Sequence, residues 1–350
     1  MNPTIVATGA TVHPTPRKHS LGFWIKRVLL AVLITLMALA ATGATYELTM
    51  AAGDAQRYPP PGQLVDVGGY RLHFHCIGTG SPTVVLVAGL GGSSLHWSPV
   101  QPRIAPTTRV CVYDRAGLGW SDTDSRPRSA GGIADELHTL LKNGAVPGPY
   151  VLVGASAGGK YVRLYAERYA SEVAGMVLVE ARHESVDAAE TAAEREAALA
   201  AARRTGTSYR WLGRLGIMRL FGARLAAVLS TGAAALPAET RTVMMVQASR
   251  ERDIDAMLRE SAAQMEDDEQ LRAARPLGTL PLVVLAADSS IATSPSWQTA
   301  QAIQAGLSTN SQLIIVPRSG HFLNLDQPEV VADAVHAVVE AARGGLLLAR

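Results

Sequence analysis

The chain has 350 residues, of which 48% are apolar and 18% charged, and its formal net charge is +2. That balance, with no polybasic block, gives no reason to invoke nucleic acid, and the apolar fraction is ample for a sizeable core. Two cysteines are too few for a disulfide scaffold or a zinc site, and no metal or cofactor is expected.

The N-terminus reads as separate from the fold. Residues 1–27 form a basic tail with Arg17, Lys18, Lys26 and Arg27, and Val28 to Tyr46 then runs for nineteen residues without a charge, ended by Glu47. As a helix that run spans about 28 Å at ~1.5 Å per residue, close to the hydrocarbon thickness of a bilayer. An uncleaved anchor uses the whole run, whereas a cleaved signal peptide uses a shorter core and a small-residue site such as Ala38-Leu39-Ala40. The length favours the anchor. A buried core helix is disfavoured by the basic flank and the lack of a polar face. The positive charges stay on the cytoplasmic side, so everything after Glu47 is expected outside, membrane-tethered or, after cleavage, secreted. Residues 47–62 read as a tether stiffened by Pro59-Pro60-Pro61 as polyproline II.

The folded part begins near Gln63. Leu64 to Val67 and Arg71 to Ile77, split by Gly68-Gly69, predict a hairpin. His73 and His75 share one face of the second strand, and without a third ligand they read as histidines on its polar face. Six apolar runs follow: Thr83–Val87, Arg109–Tyr113, Tyr150–Val153, Gly175–Val179, Leu280–Leu285 and Gln312–Val316. Such continuous runs predict strands of a buried parallel sheet. Helical patterns at Ala130–Leu141, Gly159–Ala170, Ser296–Ala305 and Glu329–Ala342 alternate with them, which makes the fold class α/β with eight strands in all. The core is therefore expected at 63–182 and 279–345.

Residues 183–278 interrupt that rhythm with a wholly helical insertion, expected as a lid over the carboxyl ends of the strands, where ligands of α/β sheets bind. Within it, Tyr209 to Leu229 mixes Trp211, Leu212, Leu215, Ile217, Met218, Leu220 and Phe221 with four arginines. Packing of the cap helices on one another accounts for this pattern. The alternatives are an apolar wall for the substrate or a surface that touches lipid beside the anchor.

Four motifs carry chemistry. Gly154-Ala155-Ser156-Ala157-Gly158 lies between the strand at Tyr150–Val153 and a helix, the context in which Gly-x-Ser-x-Gly holds a serine on a sharp turn. Val87-Ala88-Gly89-Leu90-Gly91-Gly92 follows the third strand. Tyr113-Asp114-Arg115-Ala116-Gly117-Leu118-Gly119-Trp120-Ser121 follows the fourth and reads as a tight turn that shapes the floor of the site. Ser319-Gly320-His321 follows the last strand. A serine hydroxyl becomes nucleophilic when an adjacent base takes its proton, and His321 is the candidate base for Ser156.

In this order the motifs resemble the α/β-hydrolase superfamily, its lidded serine hydrolase branch, over nearly all of Gln63 to Ala342. The resemblance implies a mainly parallel eight-stranded sheet with a helical lid, here preceded by one transmembrane helix. It also implies an oxyanion hole from the backbone N–H groups of Leu90 and Ala157. For the third member of a triad two acids compete. In most relatives the acid follows the strand at Leu282–Leu285 within a Gly-x-x-Asp turn. Here that turn reads Ala286-Ala287-Asp288-Ser289-Ser290, so Asp288 falls early and Ser290 takes the usual acid position. Haloalkane dehalogenase-like relatives instead place the acid after the strand that follows the nucleophile helix, where Glu180 stands. Glu180 is preferred, with Asp288 as the alternative. Ala155 and Ala157 replace bulkier neighbours and are expected to leave room near Ser156.

With serine as nucleophile, the expected reaction is acyl transfer to water on a small, lipophilic ester, thioester, lactone or amide. A carbon–carbon hydrolase, a cofactor-free haloperoxidase-like enzyme and a non-catalytic binding protein are the alternatives. The superfamily's sheet order makes the strands of Cys76 and Cys111 neighbours; two buried free thiols are expected there rather than a disulfide.

Overall fold

The computed structural model of the chain describes residues 20–188, 191–229, 231–234 and 236–348. Arg17 and Lys18 of the expected basic tail lie outside the described residues. Lys26 and Arg27 sit on α1, which runs from Leu21 to Ala52, and α2 (Asp54–Arg57) continues its path. The stretch read as a tether is therefore helical to Arg57, and only Tyr58 to Gly62 is irregular. The reason lies far along the chain. Arg219 pairs with Glu47 and Asp54, so the acids that end the apolar run are tied down rather than left in a linker.

Eight strands form one sheet: β1 (Gln63–Asp66), β2 (Arg71–Ile77), β3 (Thr83–Val87), β4 (Val110–Tyr113), β5 (Tyr150–Ala155), β6 (Val173–Val179), β7 (Leu282–Ala287) and β8 (Ser311–Val316). Their spatial order is β1-β2-β4-β3-β5-β6-β7-β8, with β1 and β2 antiparallel to their neighbours and all other pairs parallel. Every residue of β3, β4, β5 and β7 is buried, as continuous Val/Leu runs demand when helices cover both faces. One face packs on α4 (Ala130–Asn143) and α5 (Gly158–Arg168), which follow the short α3 (Gln101–Ile104) in the chain.

The insertion consists of α6 (Glu184–Ala188), α7 (Ala192–Arg214), α8 (Ile217–Leu229), α9 (Thr231–Ala234), α10 (Ala238–Ala248) and α11 (Glu251–Arg272). After β7 come α12 (Asp288–Thr293) and α13 (Pro295–Ala305), and after β8 come α14 (Leu323–Asp326) and α15 (Pro328–Gly344). The sheet's other face packs on α3 and α15. The insertion has a small apolar cluster of its own, in which Met218, Ala226, Met244 and Met245 meet Leu325. Much of its grip on the core is polar instead. Lys160 pairs with Asp268, Arg163 with Glu184 at 2.7 Å, and the Gly119 and Ala130 N–H groups donate to Asp253 and Asp267 at 2.9 and 2.6 Å. Burial pushes the carboxyls of Asp253 and Asp267 up to about 7.

Two expectations about β2 are corrected. Cys76 and Cys111 are joined by a disulfide, not free, because they stand directly opposite in the antiparallel register of β2 and β4, Cα atoms 4.0 Å apart. His73 is fully buried rather than on a polar face. Its Nδ1 lies 2.8 Å from Asp114 Oδ2 and its Nε2 2.6 Å from the Pro61 carbonyl. Both partners are acceptors, so both ring nitrogens must donate and the ring is an imidazolium. Asp114 also accepts from the N–H groups of Ser94 and Trp120, which pins the loops after β3 and β4 together.

Burial works to lower the His73 pKa, but the Asp114 carboxylate and the Pro61 carbonyl raise it above the ordinary histidine value. Burial likewise opposes the charge on Asp114, and His73 with the two amides holds its pKa below the ordinary carboxylate value. The histidine's stabilisation is complete below its unfolded pKa of about 6.5 and is lost as pH rises through the raised folded value; the aspartate's is complete above about 4 and is lost on acidification. The Tm difference between wild type and His73→Gln should therefore shrink as pH rises from 6 to 9. A constant difference would show a neutral His73.

Candidate active site

The carboxyl ends of β5 and β6 bring the principal groups together. Ser156 follows β5 with φ +52° and Glu180 follows β6 with φ +47°. A left-handed backbone at a non-glycine residue costs about 1–3 kcal/mol and persists only where its surroundings hold it. Here the Ser156 N–H donates to the Val179 carbonyl at 3.0 Å, and the Ser156 carbonyl accepts from Gly159 and Arg182 N–H, each at 3.0 Å. The turn is also pressed against β3. A Cβ at Gly158 would stand 2.5 Å from the Val87 carbonyl oxygen, so the motif's last glycine is a packing requirement. Ala155 and Ala157, on either side of Ser156, are both buried and belong to the apolar clusters on opposite faces of the sheet.

His321, in the loop after β8, bridges the two strand ends. Its Nε2 lies 3.1 Å from Ser156 Oγ and its Nδ1 3.2 Å from Glu180 Oε2. A carboxylate only accepts, so Nδ1 carries the proton and Nε2 is left to accept from the serine hydroxyl. Glu180 is buried, whereas the imidazole is 42% exposed. The chain of contacts therefore runs from the protein interior out to an accessible face. The carboxylate also accepts from Ala287 N–H at 2.6 Å, Ser290 Oγ at 2.8 Å and Trp297 Nε1 at 3.2 Å. Trp297 and Phe322 meet the imidazole edge to face, with centroids 5.8 and 5.7 Å away.

Asp288 is placed elsewhere. Its two oxygens accept from the N–H groups of Arg318 and Ser319 at 2.6 and 3.0 Å, and the Ser319 and Arg318 amides hold its carboxyl below the usual range. Asp288 thus clamps the loop that carries His321. Nor does it cap α13, whose first turn is capped by Ser294. Ser290, at the position where the resemblance expects an acid, supplies a hydroxyl to Glu180 instead.

The loop after β3 faces the serine. A Cβ at Gly89 would lie 3.0 Å from Ser156 Cβ and 3.6 Å from Oγ, which sets Leu90 next to the point of closest approach. Ala157 adjoins Ser156 from the other side, at the start of α5. The loop is held by a residue read from the sequence only as part of a turn. Arg115 is buried and donates to the carbonyls of Ala88 and Gly89 at 2.8 and 2.7 Å, and bidentately to Glu260 of α11 at 2.7 and 3.0 Å. Burial opposes its charge and Glu260 outweighs that, so its pKa is raised. Nothing in the helical pattern of 251–272 distinguishes Glu260 from its neighbours. The sequence signal was confined to Arg115, inside the turn after β4.

A model of the alpha/beta hydrolase family matches residues 84–334, which take in the serine turn, the whole insertion and the histidine loop. The chain belongs to that family. An uncharacterized protein of Schizosaccharomyces pombe is 37% identical over 193 residues, 46% of this chain and 35% of its own length. An uncharacterized vacuolar membrane protein of Saccharomyces cerevisiae is 28% identical over 200 residues, 48% of this chain and 31% of its own. The matches thus span about a third of the length of these curated relatives. Among solved structures, a thermophilic esterase from Thermogutta terrifontis superposes with a TM-score of 0.61 at 22% identity, over 80% of this chain and 98% of that one. The epoxide hydrolase CorEH gives 0.60 at 20%, over 78% and 96%. These likenesses establish the hydrolase fold.

Removing one partner of the Arg115–Glu260 pair leaves a buried charge uncompensated. Glu260→Ala should destabilise the fold by about 3–5 kcal/mol in urea melts. Replacing both residues by methionine should recover much of that stability without restoring the donors to Ala88 and Gly89. Slow fluorophosphonate labelling of Ser156 in the refolded double variant would then report the loop's loss of position.

Proposed function

We propose that this member of the family is a serine hydrolase that cleaves a carboxylic ester or related acyl bond through an acyl-enzyme. The observation that carries the reading is the unbroken path from Ser156 Oγ through His321 to Glu180, at 3.1 and 3.2 Å. Ser156 Oγ attacks the acyl carbonyl as its proton passes to His321 Nε2, and Glu180 stabilises the imidazolium. The N–H groups of Leu90 and Ala157 receive the negative charge that develops on the carbonyl oxygen. Collapse of the intermediate breaks the bond to the leaving alcohol, which takes the proton from His321. Water then attacks the ester on Ser156 with His321 as base, releasing the acid and restoring the hydroxyl. With a serine at this position, the alkyl-enzyme route that needs an aspartate nucleophile has no nucleophile of the right kind.

The same reading extends to placement. α1 is apolar enough to cross a membrane, and no residue in its most apolar stretch is buried against the domain. With Lys26 and Arg27 on the cytoplasmic side, the catalytic domain lies outside, in keeping with a disulfide that an oxidising compartment would allow.

Hydrolysis of a short p-nitrophenyl ester tests the chemistry. Ser156→Ala and Glu180→Gln should each lose about 10⁴-fold in kcat, while Asp288→Asn should lose far less. Equal losses for the two acid variants would reject the assignment of Glu180, and wild-type activity no higher than Ser156→Ala would reject the reaction. For placement, the full chain should stay with the membrane pellet through alkaline carbonate extraction, and its release would reject a spanning α1.

A further inference from the structure

Helix α8 presents the wrong side chains to its surroundings for a helix in water. At about 100° per residue, Leu220, Arg224, Val228 and Phe221 fall within one arc of about 100°. Leu220, Phe221 and Val228 are 58%, 51% and 84% exposed. The opposite arc, with Met218, Arg219, Gly222 and Ala226, is buried. A leucine, a phenylalanine and a valine thus face outward while an arginine faces in. Trp211, in the last turn of α7, adds another exposed apolar side chain with the Arg214 guanidinium over its ring. Single exposed apolar residues are ordinary, but a stripe along one helix is not.

The buried arginine sets the height of this stripe. Arg219 binds Glu47 at 2.8 and 2.9 Å and Asp54 at 2.7 and 2.8 Å. Glu47 is the first charge after the run Val28–Tyr46, so it marks the level at which α1 leaves the hydrocarbon. One turn earlier, Gly43 packs so closely on the link between α7 and α8 that a Cβ there would stand 2.3 Å from the Leu215 carbonyl oxygen. Leu220 and Phe221 follow Arg219 directly in the chain and therefore stand at the same level as the exit of α1.

We propose that the outer face of α8, formed by Leu220, Phe221, Arg224 and Val228, seats in the headgroup layer of the bilayer that α1 crosses, and that the substrate is an acyl lipid carried in that layer. The docking rests on α1 as a span, and the substrate class on the serine hydrolase reading above. An apolar stripe that carries an arginine, with a tryptophan nearby, has the chemistry of an interfacial helix. The other side of α8 connects it to the site. Met218 and Ala226 share their apolar cluster with Leu325 of α14, four residues beyond His321, and with Leu95 after the loop that faces Ser156. The membrane-facing helix is thus backed by the segment that follows the histidine.

The test uses the full chain, with α1 verified by mass, in phosphatidylcholine vesicles containing phosphatidylglycerol. An environment-sensitive fluorophore is attached at Val228→Cys and, as an aqueous reference, at Asp333→Cys on the exposed side of α15. The label at 228 should shift to the blue and be quenched several-fold more strongly by lipids spin-labelled near the headgroup. Equal quenching at the two sites would overturn the docking, as would a 228 signal that vanishes when protein is diluted in lipid, which would mean a second copy covers the face. Leu220→Asp with Phe221→Asp should lower kcat/KM on a vesicle-borne long-chain ester by about tenfold or more, and leave a water-soluble short ester unaffected. An equal effect on both esters would overturn the lipid substrate. The depth reading needs no turnover, so it stands or falls separately from the hydrolase reading.

Discussion

The buried guanidinium of Arg115 is the constraint around which the upper half of the molecule is arranged. Taking such a group out of water costs several kcal/mol unless every donor finds an acceptor. Its acceptors come from two places: the carbonyls of Ala88 and Gly89 on the loop beside Ser156, and the carboxylate of Glu260 in the insertion. Neither the loop nor α11 can shift without leaving that charge unmet. The buried pairs Lys160–Asp268 and Arg163–Glu184 repeat the arrangement at other points of the same contact. This side of the insertion is fixed to the core beside the loop that faces Ser156. The far side, α8 to α10, is held by a small cluster rich in methionine and alanine, and the unbranched methionine side chain adapts readily to the shape of its neighbours.

The parts of the fold that were legible are those in which one residue type has one physical use. Val and Leu runs at β3 to β7 can only be strands covered on both faces, and the Gly-x-Ser-x-Gly turn follows from a packing distance that excludes a side chain. Between the two rival acids the sequence offered only a narrow preference for Glu180, through the resemblance, because β6 and β7 are neighbours and both residues end a strand at the same edge of the sheet. What separates them is the use of the loop amides at 318 and 319, which occupy Asp288, and of Ser290, which turns toward Glu180. Glu260 was invisible for a different reason. A glutamate in a helix full of glutamate, arginine and alanine carries no pattern until its partner is known.

Register decided two further points. The superfamily's sheet order puts Cys76 and Cys111 on adjacent strands, but only their position directly opposite one another brings the sulfurs together. His73 has the alternation of a half-exposed strand, yet Pro61, Trp120 and the turn that begins at Asp114 close over it. The N-terminal helix misled in the opposite direction. Its proline cue was real but belonged to only five residues, and the preceding acids were captured by Arg219, distant in sequence and close in space.

The disulfide also determines how the domain bears a pull. Once the contacts of α1 and α2 with Arg219 and Leu215 have yielded, a load applied through α1 reaches the sheet by way of Tyr58 to Gly62 and enters at β1, an edge strand paired with β2 and touched on one side by α4. Hydrogen bonds pulled one after another give way like a zip. Peeling that began at β1 would travel along the hairpin into β2 and stop at Cys76, which is bonded covalently to the interior strand β4. Beyond that stitch the force passes to strands whose every residue is buried. A domain hung by its N-terminal edge thus has its one cross-link on the path that tension would follow, ahead of the strands that carry Ser156 and Glu180.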